Sequence, residues 1–80
     1  MEHSSSSDAI IQVYKQVILI NSEILITNNQ ILVQNNELLL LNTDSLSLKN
    51  EILLQNNELL LQNQVIIERN KEMMQRSIEN

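Results

Sequence analysis

Ile31–Leu40 reads ILVQNNELLL, and Ile52–Leu61 reads ILLQNNELLL. The two segments agree at nine of ten positions and lie 21 residues apart, three steps of seven. Seven is the period at which a helix supercoiled on a neighbour returns to the same face. The unit, roughly [IL]-L-L-Q-N-N-E, keeps its phase from Ile10 to Met74.

One column of the repeat, here named a, holds Ile11, Ile18, Leu25, Leu32, Leu39, Leu46, Leu53, Leu60, Ile67 and Met74. It is apolar at every step. Three positions later, column d holds Tyr14, Lys49 and Ser77, and its other seven places are all asparagine: Asn21, Asn28, Asn35, Asn42, Asn56, Asn63 and Asn70. Column g is aliphatic at Ile10, Val17, Ile24, Ile31, Leu38, Ile52, Leu59 and Ile66, with Ser45 and Met73 completing it. Column b is aliphatic from Leu19 to Leu61 except at Ser47, and column f carries the acids Glu23, Glu37, Asp44, Glu51, Glu58, Glu72 and Glu79.

At 3.5 residues per turn the columns run g, d, a, e, b around the helix, with f and c behind. The broad face therefore alternates aliphatic and asparagine, and the acids lie opposite its centre. Such a helix is amphipathic and wider than the a/d stripe of a two-stranded zipper. Ser4–Ser7 and Asp8 supply N-cap candidates, and Arg69, Lys71 and Arg76 suit the dipole at a C-terminus.

Composition agrees. The 80 residues include no Gly, Pro, Cys, Trp or Phe, yet 42% are hydrophobic. Gly and Pro are the usual turn formers, so few chain reversals are expected. A lone helix cannot bury its own apolar face, which points to burial against other chains. The sequence thus predicts an all-α fold: a single long continuous helix in a homo-oligomeric coiled coil of three or more strands. Residues 1–8 read as a disordered Ser-rich tail, 9–78 as the heptad region, and 79–80 as a second tail. The weak point is 42–50, where NTDSLSLKN replaces repeat residues with turn-compatible chemistry. A hairpin folding back at 43–45 is the alternative, and the unbroken phase through Leu39, Leu46 and Leu53 argues against it. A β organisation, as solenoid or fibril, draws on β-branched runs such as IIQVYKQVIL, but the period-two alternation of strands is missing.

Asparagine is a mediocre helix former, and a buried unpaired amide costs a further ~1–3 kcal/mol. Seven such positions require either solvation or pairing across chains. One reading leaves column d partly exposed beside a g/a seam. The other lines the axis of a trimer or larger bundle with asparagine rings that bond to one another or trap anions or water. The run Leu39–Thr43, LLLNT, resembles the I-x-x-N-T-x-x heptad of trimeric autotransporter adhesin stalks. That resemblance implies a parallel trimer whose d asparagines face the axis and coordinate an anion. Only this heptad carries the full motif, and the head and anchor domains of that family have no counterpart here. The unbroken i+7 leucines in a short chain also resemble, more loosely, the leucine-zipper protein of the viroid-like obelisk RNA elements.

Function classes narrow accordingly. The net charge of −5 disfavours nucleic acid and anionic membranes as partners. No block of Lys and Arg precedes the heptads, which excludes a basic zipper. Ala9–Ile26 is interrupted by Gln12, Lys15, Gln16, Asn21, Ser22 and Glu23, so no membrane span is expected. Met1–Ser7 lacks a basic region of a signal peptide, which sets the expected address as cytoplasmic. His3 is the sole histidine, the f-column acids are a solvated face, and Ser4–Ser7 has no base nearby, so neither catalysis, a metal site nor a cofactor is expected. Tyr14 reads as core filling, and Met73 and Met74 as soft packing. The expected function is structural self-association, with an adaptor for a different coiled-coil protein as the alternative and a β-fibrillar assembly as the third.

Overall fold

The computed structural model describes residues 5–41 and 44–79. They form two helices, α1 (Ser5–Leu41, 37 residues) and α2 (Leu46–Glu79, 34 residues), and no strand occurs among the described residues. The helical expectation holds, and the β organisation has no counterpart there. α1 begins at Ser5, inside the span expected as a tail, and α2 runs on to Glu79. His3, Asn42, Thr43 and Asn80 lie outside the described residues.

The expectation of one continuous helix is corrected. α1 and α2 pack side by side and antiparallel in a rod of 67 × 15 × 13 Å. Two features explain why phase and composition pointed the other way. The last described asparagine layer before the reversal is Asn35 and the first after it is Asn56, which are 21 residues apart. A reversal that takes up a whole number of heptads leaves the phase intact, so unbroken phase does not exclude it. The sequence offers no glycine for a turn, and no described residue has a positive φ. Ser45 instead caps α2. Its Oγ accepts a hydrogen bond from the Leu48 N–H at 3.3 Å, and its carbonyl accepts one from the Lys49 N–H at 3.1 Å. A serine oxygen serving the third N–H of a helix is the N-cap arrangement.

Hydroxyl groups inside the helices are absorbed locally. The Ser22, Thr27 and Ser77 hydroxyls donate to the carbonyls of Ile18, Glu23 and Met73, each four residues back. An ion pair among the described residues, Lys71 to Glu68 at 3.7 Å, is exposed and contributes little. By length and composition alone, α1 over Ser7–Leu41 is apolar enough to cross a membrane, with a mean hydropathy of 1.4 in its richest window.

Candidate assembly surface

The seam between the helices is built on column d. Asn21 Nδ2 donates to Asn70 Oδ1 at 2.9 Å, Asn28 Nδ2 to Asn63 Oδ1 at 2.8 Å, and Asn35 Nδ2 to Asn56 Oδ1 at 2.8 Å. In each pair the two residue numbers total 91, so the three layers share one register. Asn28, Asn35, Asn56, Asn63 and Asn70 are buried, and Asn21 is half-buried. Their neighbours brace them. Asn28 Nδ2 also donates to Gln62 Oε1 at 2.9 Å, Asn35 Nδ2 to Gln55 Oε1 at 2.7 Å, and Asn56 Nδ2 to Asn36 Oδ1 at 3.4 Å. No buried side-chain nitrogen or oxygen among the described residues lacks a partner.

Six of the seven expected polar layers therefore meet as three pairs within one chain, and Asn42 lies outside the described residues. The amides bond to each other across an antiparallel seam. Gln55, Gln62 and Asn36 stand outside the expected interface. For Gln55 and Asn36 the signal is the Q-N-N-E tetrad, at Gln34–Glu37 and again at Gln55–Glu58, and Gln62 holds the same place before Asn63. A residue next to one buried amide is within reach of a proton of the amide across the seam.

The aliphatic columns divide in a way the repeat did not foretell. With d opposite d, the residue four after an asparagine in α1 faces the residue four before its partner in α2. Four after d is column a, and four before d is column g. The register thus sets Ile18 opposite Met73, Leu25 opposite Ile66, Leu32 opposite Leu59 and Leu39 opposite Ile52. Burial follows: Ile52 and Ile66 are buried, and the other six are half-buried. Ile11 is half-buried as well. The a column of α2 is left out of the seam, with Leu46, Leu53, Leu60, Ile67 and Met74 exposed. In α1 the g column is the one left aside, exposed at Ile24 and Leu38 and half-buried at Ile31. Within one hairpin the seam is therefore a/d on α1 and d/g on α2.

Two buried large hydrophobics, Ile52 and Ile66, face twenty exposed ones among the described residues. Full burial of an aliphatic side chain contributes ~1.5–3 kcal/mol. Most of the apolar surface that could stabilise this chain therefore remains in solvent when the hairpin stands alone. No group of three or more His, Cys, Asp or Glu is placed to hold a metal ion among the described residues.

No family model, curated protein or solved structure matches this chain. Sequence pattern and geometry are what bear on its function.

Proposed function

We propose that this chain is a structural self-association module, in which helical hairpins join into a bundle through the aliphatic surface each leaves exposed. The observation that carries this reading is the excess of exposed over buried aliphatic side chains, twenty large hydrophobics against two. Apolar patches above a few hundred Å² on a soluble chain mark interaction sites. Burying part of this surface against further copies gives the asparagine seam the aliphatic support it lacks in one hairpin.

Sedimentation equilibrium together with circular dichroism across a hundredfold range of concentration tests it. The expected result is strong helicity, a mass of several chains and a melting temperature that rises with concentration. A monomer mass with a concentration-independent melt overturns the proposal. Helicity that develops only when a different coiled-coil protein is added replaces it with the adaptor reading. A second reading draws on the apolar length of α1, which would lie in a bilayer. Against that stand the charges of α2, among them Glu51, Glu58, Glu68, Arg69, Lys71 and Glu72. Co-flotation with lipid vesicles would favour it.

A further inference from the structure

The two long faces of the hairpin, on either side of the seam, differ in charge. The Asn56–Asn36 bond places the e column of α1 on one face. The bonds from Asn35 to Gln55 and from Asn28 to Gln62 place the c column of α2 on the other. A shallow depression lined by Leu38, Leu48, Glu51 and Gln55 confirms that the g column of α1 shares this second face with columns c and f of α2. The second face therefore carries Glu51 and Glu58, with Arg69, Glu72 and Arg76 toward the end of α2. On the first face, helix geometry gathers columns e and b of α1 with columns a and e of α2, while column f of α1 and column b of α2 lie directly behind the seam.

Over 19–40 of α1 and 50–67 of α2, that first face has no charged residue. Its aliphatic rows include Leu19, Ile26 and Val33 on α1, and Leu53, Leu60 and Ile67 on α2, all exposed. Between them stand exposed asparagines, Asn29 and Asn36 on α1 and Asn50 and Asn57 on α2. This is the chemistry of the seam over again: a row of amides between rows of aliphatic side chains. In the seam that arrangement pairs with an antiparallel copy of itself, supplied by the repeat of Ile31–Leu40 at Ile52–Leu61.

We propose that a second copy of this chain docks on the uncharged face, joining two hairpins in a four-helix bundle whose interface repeats the asparagine–aliphatic layering of the seam. The inference rests on the self-association reading above and specifies its surface and partner. Three observations select a second copy as occupant. The face is continuous with the seam, it offers no charges that would code for a different protein, and it is complementary to itself. Over the same span, docking through the opposite face would instead bring Glu51 and Glu58 of two acidic chains together, and like charges at an interface disfavour the pairing.

Sedimentation equilibrium on the full chain, with two pairs of substitutions, tests the assignment. Val33→Lys with Leu60→Lys puts cations on the uncharged face. Ile20→Lys with Val65→Lys puts the same charges on the other side at residues of similar exposure. The first pair is expected to weaken association about a hundredfold or more while helicity persists in the hairpin. The second pair is expected to leave the mass unchanged. Because the first variant could also lose its fold, spin labels at Val33 and at Ile20 of the otherwise native chain supply an independent reading. Labels at Val33 of two copies should lie closer together than labels at Ile20. Dissociation by the Ile20/Val65 pair alone, or shorter distances between Ile20 labels, overturns the choice of face and leaves self-association standing. A native chain that sediments as a monomer overturns both.

Discussion

The Asn28–Asn63 layer offers the sharpest test of the seam. The two residues are 5% and 8% exposed, and their amides meet at 2.8 Å. Asn28→Leu removes the donor that serves both Asn63 and Gln62. It leaves a buried amide without its partner, at ~1–3 kcal/mol. The new leucine contributes ~1.5–3 kcal/mol in return, so the single change is close to neutral. Asn63→Leu is close to neutral for the same reason. When both are replaced, no amide is orphaned. Two leucines together contribute ~3–6 kcal/mol, less about 1 kcal/mol for the hydrogen bond that is lost. The double variant should be more stable by ~2–5 kcal/mol, well beyond the sum of its parts. At ~4–8 °C per kcal/mol for a chain of this size, its melting temperature should rise by roughly 10 °C or more. Thermal and urea unfolding followed by circular dichroism gives all four corners of the cycle. Protein concentration must be held fixed, because association makes melting concentration-dependent. Effects that add within ~0.5 kcal/mol would mean that the two amides do not meet, and the antiparallel register would fall with them.

Three further outcomes follow from the same geometry. Spin labels at Gln16 and Gln75, whose numbers also total 91 and which face away from the seam, should lie within roughly 30 Å when diluted in unlabelled chain, since packed helices are ~8–10 Å apart and ~10–12 Å across. A continuous helix would separate them by about 90 Å, so a long distance would restore the unbroken, stalk-like rod. Ser45→Ala should destabilise the hairpin by about 1 kcal/mol in urea unfolding through loss of the α2 cap, and Ser45→Gly by only a few tenths. No loss of stability in Ser45→Ala would show that the Oγ bond contributes nothing. Lys71→Ala should shift stability by less than ~0.5 kcal/mol, since its ion pair with Glu68 is largely exposed, and a larger loss would point to a further partner for Lys71.

Helix, phase and face were legible in the sequence because each follows from one chain's periodicity. Seven-residue spacing requires helix, and the recurrence of asparagine at column d marks those positions as paired wherever they are buried. Asn28, Asn35, Asn56, Asn63 and Asn70 are buried, and each is hydrogen-bonded to another of the column. The N-T-D-S run was legible as turn-compatible, but the cap that Ser45 supplies was not. Nor was direction. A heptad reads the same whether its partner runs parallel or antiparallel and whether it belongs to another chain or to this one.

That choice was made by tertiary structure alone. Folding back sets d against d at a constant total of 91, and reversing one strand exchanges the 4–3 spacing for 3–4. Column a of α1 must then meet column g of α2, which buries Ile52 and Ile66 and leaves Leu53, Leu60 and Ile67 in solvent. The sequence by itself determined a helix with more apolar surface than one neighbour can cover. Only the hairpin decided which columns that neighbour takes, because antiparallel packing gives the two helices different seams from one shared repeat.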